Sequence, residues 1–169
     1  SPATQGRLDA VVDLLRRACD QWSHVVALSG PWLQSLPQGV DRYGASQGAV
    51  AFGDRVVGVF DPSPTGVLLG LDWLIEARRL RNGAPVWIVF AGRPRSAVQR
   101  ADLVETVTRE SGAEMISGVM FVPLGPEVER ASWEGRVLTR GRFAKSMQSL
   151  ADELLPAKAS TRSRTRSRR

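Results

Sequence analysis

The amino-acid sequence predicts an α/β fold with a mostly parallel sheet and helices on both faces. Residues 56–60, 86–90 and 119–122 are apolar runs without the alternation of a half-exposed strand, which is typical of strands buried on both faces. Segments with helical spacing of apolar residues lie between these runs, and this alternation indicates βαβ units. We expect the run over 86–90 at the centre of a sheet of at least four strands.

The N-terminal part is predicted to contain a helix and a strand. Apolar residues recur at helical spacing over 7–22, which predicts an amphipathic helix with Cys19 on its apolar side. The short apolar run over 24–28 predicts a strand. The Gly-rich stretch that follows specifies its structure poorly, and we expect only a short helix near 40–50 in it.

The second half of the chain has clearer boundaries. Its predicted elements are a helix over 66–81, the strand over 86–90, a helix over 96–111, a strand over 115–122, a short helix to about 134 and a helix over 143–155. Thr65 and Ser96 are expected to cap the first two helices at their N-termini. Asn82-Gly83 and Gly112 are expected to end them.

Charge is distributed unevenly along the chain. Six of the 23 basic residues lie in 157–169 without an acid, so the remainder carries 17 basic and 17 acidic residues. We therefore predict an α/β domain over 1–156 and a disordered basic tail over 157–169. The tail could contact an anionic membrane or nucleic acid, or remain solvated without a partner. Its five arginines are Arg162, Arg164, Arg166, Arg168 and Arg169.

Composition also limits the class of protein. The chain has one cysteine and one histidine, which excludes an internal disulfide and argues against a zinc site. No apolar run approaches the roughly 18 residues of a membrane span. These features predict a cytoplasmic protein, with peripheral membrane contact as an option for the tail. The chain begins with Ser1 instead of Met, and we expect an upstream segment.

Candidate ligand contacts follow the predicted strands. Ligands of open α/β sheets bind outside the carboxyl ends of the strands. Ser29 and Gly30 end the first predicted strand, and they form either a ligand-facing loop or a simple turn. Asp61 ends the second and could touch a ligand or only cap a turn. Gly92 and Arg93 follow the central strand, where a plain strand-to-helix turn is the alternative.

Four segments in matching order carry a resemblance to a known family over residues 24–155. They read HVVALSGP, ASQGAVAFGDRVVGVFDPSPTGVLLGLDWL, APVWIVFAGRPRS and GVMFVPLGPEVERASWEGRVL. In this order they resemble the C-terminal half of MinD/ParA-type P-loop ATPases: the switch-loop strand, the next strand and its helix, the strand ending in an Asn-Arg pair, and the closing segment. The similarity is nearest to the CpaE/TadZ-type pilus-assembly localisation proteins.

This resemblance implies an incomplete three-layer P-loop NTPase fold of the SIMIBI type. It also implies a septum- or pilus-localisation or partitioning ATPase that dimerises around ATP and holds a partner at a cell location. Ser29 and Gly30 would lie at the phosphate side of the nucleotide. Gly92 and Arg93, with Pro123, Gly125 and Glu127, would line the base side, and Asp61 would be a further cofactor-binding residue.

The sequence departs from the family at the residues that bind phosphate. No Gly-rich phosphate loop occurs, and Ser29 stands where the family has the aspartate that orders magnesium. We therefore expect ATP and Mg²⁺ only if a phosphate-binding half is supplied, and no cofactor for this chain alone. The chain is then either the second half of a cut ATPase or a degenerate, non-hydrolysing interaction module. Both readings predict a protein partner or a homodimer.

A small-molecule enzyme with a Rossmann- or flavodoxin-like fold is the least supported alternative. The sequence has no GxGxxG motif, and it suggests no convergent Ser/His/Asp or Cys/His set. No catalytic residue or metal ligand is therefore predicted.

Overall fold

A computed structural model describes residues 2–30, 33, 44–92, 94 and 96–155, with side chains described from residue 9 onward. The helices are α1 (Pro2–Gln21), α2 (Gly44–Phe52), α3 (Pro64–Leu80), α4 (Ala97–Ser111), α5 (Pro126–Trp133) and α6 (Gly141–Leu154). The strands are β1 (Val57–Phe60), β2 (Val86–Ala91) and β3 (Ile116–Val122), and a short 3-10 turn precedes β3.

The strands form one parallel sheet in the order β1-β2-β3. This arrangement confirms the predicted α/β fold and the central place of the strand over 86–90. The sheet has helices on both faces: α3 and α4 pack on one, and α6 packs on the other. The carboxyl ends of these three strands therefore meet at one edge of the sheet, which we call the carboxyl edge.

The larger core lies between the sheet and the α3–α4 layer. Phe90 is fully buried in it, and its ring packs edge-on against Phe60 at 6.1 Å and stacks on Phe121 at 5.2 Å between centroids. A Cβ atom on Gly70 of α3 would lie 2.6 Å from the Phe60 ring. The glycine therefore lets α3 approach β1 closely enough to enclose this aromatic row.

A smaller core covers the opposite face of the sheet. Val89 of β2 and Val122 of β3 pack there with Leu150 of α6, and Phe143 and Leu154 of the same helix border them. Leu150 and Leu154 are four residues apart and Phe143 lies two turns before Leu150, so one stripe of α6 provides this contact.

The predicted strand over 24–28 is wrong. Residues 24–30 have no regular secondary structure, and the side chains of Val26 and Leu28 are 94% and 100% exposed. In the part of the chain that the structure describes, the sheet has three strands instead of the four or more predicted. An apolar run becomes a strand only where a neighbouring strand satisfies its N–H and C=O groups, and this segment pairs with neither edge strand of the described sheet.

Two predictions about individual residues are also wrong. Cys19 is exposed, whereas Val11, Val12, Leu15 and Ala18 of the same helix are half-buried. Ser63, and not Thr65, caps α3: its Oγ accepts a hydrogen bond from the Gly66 N–H at 3.2 Å. Pro64 explains the earlier start, because proline favours the first position of a helix.

Other boundaries agree with the sequence. The predicted helix near 40–50 corresponds to α2, although residues 40–43 lie outside the described ranges. Ser96 caps α4 through the Gln99 N–H at 3.1 Å, and Gly112 ends it with a φ of 87°. Asn82 and Gly83, both with positive φ, follow α3 as predicted.

Candidate functional site

A cleft of about 530 Å³ lies at the carboxyl edge, between the ends of β2 and β3 and the first turns of α4 and α6. We refer to it as the carboxyl-edge cleft. Its lining residues are Gly92, Pro94, Ser96, Ala97, Arg100, Phe121, Pro123, Arg142, Lys145 and Ser146. The volume is within the range of small-molecule sites, which span about 300–1,000 Å³.

Strand pairing brings two segments of the chain together at this cleft. Ala91 pairs with Val122 in the parallel ladder, and the Gly92 N–H donates to the Val122 carbonyl at 2.9 Å. Gly92 and Pro123, which follow these strands, therefore share one edge. Only five residues separate the end of β2 from the start of α4, so the first turn of α4 also lies at the cleft.

Gly92 has a backbone that disfavours other residues. Its φ is 151°, and a Cβ atom would lie 2.9 Å from two ring carbons of Pro62. The loop after β2 therefore packs directly on the loop after β1. This close packing holds the β2 end of the cleft in place.

The cleft is basic. Arg100 comes from α4, Arg142 and Lys145 come from α6, and no acidic residue is among the described residues that line the cavity. Within the described ranges, none of these three side chains forms an ion pair. The arrangement therefore presents uncompensated positive charge to a ligand at the carboxyl edge.

Aromatic packing connects the cleft to the core. The guanidinium carbon of Arg100 lies 4.7 Å from the centroid of the Phe121 ring. This distance is typical of a cation–π contact. Phe121 in turn stacks on the buried Phe90. The floor of the cleft is thus an aromatic ring fixed by the core, with a cation over its face.

The structure brings only some of the predicted site residues to this cleft. Gly92 and Pro123 line it, whereas Ser29 and Gly30 lie in the irregular segment over 22–30. Gly125 is the N-cap residue of α5, and Glu127 lies exposed in its first turn. Arg93 lies outside the described residues.

Asp61 follows β1 and is engaged in a turn. Its Oδ1 accepts a hydrogen bond from the Ser63 N–H at 2.8 Å. Hydrogen bonds from the Ser63 side chain and then from its backbone hold the pKa of Asp61 below its ordinary value. The carboxylate therefore supports the start of α3 through Ser63, as the turn-capping alternative predicts.

We expect the contribution of Asp61 to depend on pH. Because its pKa is lowered in the folded chain, its stabilising effect is present above the unfolded pKa of about 3.9 and is lost as the pH falls through the folded value. Thermal unfolding should show the natural chain slightly more stable than Asp61→Asn at pH 6, and this difference should vanish near pH 2. Ser63→Ala should reduce the same pH dependence. A difference that stays constant across this range would contradict the prediction.

Sequence reasoning missed most of the cleft. Arg100 follows the Ser96 cap by one turn, and Arg142 and Lys145 are three residues apart on α6, so their spacing was available as a signal. What the spacing did not indicate is that α6 packs on the far face of the sheet with its first turn at the carboxyl edge. The described residues contain no group of three or more acidic, histidine or cysteine side chains that could hold a metal ion.

Comparisons of the chain with protein-family models, with curated proteins and with solved structures find no match. In the described ranges, no helix combines the length and the apolar character needed to cross a membrane.

Proposed function

We propose that this chain is a MinD/ParA-like localisation or partitioning module, of the CpaE-like kind, and that its carboxyl-edge cleft is the base side of a nucleotide site. The observation that supports this is the meeting of Gly92 and Pro123 in one cleft. The resemblance assigns both to the base side, although they lie in separate segments of the sequence.

The chemistry of the cleft suits a flat, partly apolar group. Pro94 and Pro123 line its wall, and the guanidinium group of Arg100 lies over the Phe121 ring. A nucleobase could pack against the two prolines and against this guanidinium group. Backbone groups next to Gly92 are accessible because that residue has no side chain.

The phosphate side is proposed to come from elsewhere. This chain has no Gly-rich loop with a lysine, and Ser29 cannot replace a magnesium-ordering carboxylate. We propose that ATP and Mg²⁺ bind firmly only when a phosphate-binding half is supplied, and that hydrolysis requires it. The chain would then act by nucleotide-dependent or constitutive contact with a protein partner or a second copy, in the cytoplasm or at the membrane surface.

Nuclear magnetic resonance of the ¹⁵N-labelled chain tests the base-side assignment. Adenosine, which carries no phosphate, should shift the amide signals of Gly92 and Phe121 at millimolar concentration. Mg-ATP should bind no more tightly than about millimolar, and phosphate release should stay at the level of a protein-free control. The control variant Val98→Ala changes an exposed side chain of α4 outside the cleft and should respond as the natural chain does. Shifts that avoid the cleft, or micromolar magnesium-dependent binding of ATP, would contradict the proposal.

A degenerate interaction module of the same fold, which binds no nucleotide, is the second candidate. It is favoured by apolar side chains on α3: Leu68 and Ile75 are 65% and 64% exposed and lie two turns apart on one side of the helix. Sedimentation equilibrium of the natural chain and of Leu68→Glu discriminates the candidates. A dimer that forms without nucleotide and is weakened by this variant favours the second one.

A further inference from the structure

We propose that the basic side of the carboxyl-edge cleft binds the phosphate group of a small phosphate monoester through Arg100, Arg142 and Lys145. This inference deepens the proposed function, on whose cleft it rests. It adds an anion site at the base side, where that function requires only a flat apolar group. The two can be tested separately because a phosphate ion has no base and adenosine has no phosphate.

The first argument is the concentration of charge. Outside the tail the chain has equal numbers of basic and acidic residues, yet the described residues that line the cleft include three cations and no acid. Elsewhere in the described chain, Arg16, Arg79, Arg109 and Arg136 form ion pairs with neighbouring carboxylates, as Arg109 does with Glu105 at 3.7 Å and Arg79 with Glu76 at 3.0 Å. Among the described residues no such ion pair forms at the cleft, and its three cations lie together around one cavity.

The second argument is that two of these cations lie near the N-terminus of a helix, where positive charge is unfavourable. Arg142 and Lys145 are in the first turns of α6, where the helix dipole is positive, and they are like charges three residues apart. The first turn of α6 has no acidic residue, and its N-cap residue, Arg140, provides no side-chain hydrogen bond. A bound anion would relieve both the repulsion and the uncapped N–H groups.

The donors around the cleft match a phosphate group. Two guanidinium groups can bind oxygen atoms in a bidentate manner, and the lysine adds a compact charge. The hydroxyl of Ser96 accepts a hydrogen bond from Gln99, which leaves its own proton available to donate, and Ser146 adds a second hydroxyl. A phosphate monoester carries up to two negative charges near neutral pH, which three cations can neutralise.

The remaining space argues for an ester over a bare ion. The cleft of about 530 Å³ is far larger than a phosphate group, and its floor is the ring of Phe121. An organic group attached to the phosphate could pack against Pro94 and Pro123, which also line the cleft, while the anion faces α6. We therefore assign the site to a small ligand and not to a polymer backbone, which needs contacts along an extended surface.

The test is a titration of the ¹⁵N-labelled full chain at constant ionic strength. Its arms are inorganic phosphate, adenosine 5′-monophosphate, adenosine and a single-stranded 20-mer DNA. Phosphate and the monophosphate should shift amides over 96–100 and 141–146, with tighter binding of the monophosphate. Arg142→Gln and Lys145→Gln should each weaken both by about tenfold. Arg78→Gln, which removes one charge from the last turn of α3 at the opposite edge of the sheet, should leave binding unchanged.

Thermal unfolding provides a readout that does not depend on the titration. Phosphate should raise the melting temperature of the natural chain more than that of Arg142→Gln. Without phosphate, this variant should be as stable as the natural chain or more so, because it removes the repulsion at the start of α6. Loss of structure in the variant would be visible as a lower melting temperature and would contradict the electrostatic argument.

Several outcomes would overturn the inference. Shifts confined to 157–169, equal weakening by Arg78→Gln, or binding of DNA at the cleft in preference to the monophosphate would each do so. Phosphate binding without any response to adenosine would support the anion site and contradict the base-side assignment. Adenosine binding without any response to phosphate would support the base-side assignment and contradict the anion site.

Discussion

Replacement of Phe90 by alanine is expected to lower the free energy of unfolding by about 3–5 kcal/mol. The ring is fully buried near the carboxyl end of β2, the middle strand of the described sheet, and it packs on Phe60 and on Phe121. The variant loses the transfer free energy of a large apolar side chain and leaves a cavity among rigid neighbours. Urea unfolding followed by circular dichroism measures the change. A loss of this size is a large fraction of the stability of an ordinary domain.

A matched variant separates this effect from a general response to shortening an apolar side chain. Val98 of α4 is 69% exposed, and Val98→Ala should change the free energy of unfolding by less than about 0.5 kcal/mol. If Phe90→Ala cost less than about 1 kcal/mol, the aromatic row would not be the centre of the core. The predicted nucleotide response at Phe121 would then also lose its structural basis.

Removal of residues 157–169 is expected to abolish salt-sensitive retention on anionic vesicles while leaving the melting temperature unchanged. The segment carries six positive charges and no acid, and the rest of the chain is balanced. Each basic residue near an anionic surface contributes on the order of 1 kcal/mol, and salt screens the effect. Co-sedimentation of the full and shortened chains with phosphatidylserine vesicles, at low and high salt, measures it.

A charge-preserving variant makes this test sharper. Changing the five tail arginines to lysine should keep the retention, since a surface potential acts on charge and not on guanidinium geometry. Changing them to glutamine should remove it. Equal sedimentation of the full and shortened chains, or none by either, would mean that the tail is a solvated end without this role.

The sheet could be predicted because its strands carry their own signal. The run over 86–90 has no polar residue, and Ser96 and Gly112 mark the ends of the following helix by local hydrogen bonding and φ alone. The strand predicted over 24–28 failed for the opposite reason. Its apolar residues match a strand, but strand formation depends on a partner that no local pattern specifies.

Only those residues of the candidate site that directly follow a strand could be predicted from the sequence. Gly92 and Pro123 follow two adjacent strands, so the parallel order brings them to one edge. Arg142 and Lys145 reach the same edge through α6, about twenty residues after β3 along the chain. The position of these two residues depends on how α6 packs across the sheet. This is a tertiary contact that no local sequence pattern indicates.

The order of the strands in the sheet is also their order along the chain, and this has a consequence for how the protein folds. Each new strand pairs with the one completed just before it, after a single intervening helix. Contacts between elements that are close in sequence close short loops, and proteins rich in them fold comparatively fast. During synthesis, β1, α3 and β2 can assemble as soon as they leave the ribosome, and β3 and α6 can be added in turn. The basic cleft would then be the last part of the sheet domain to form, because α6 completes it.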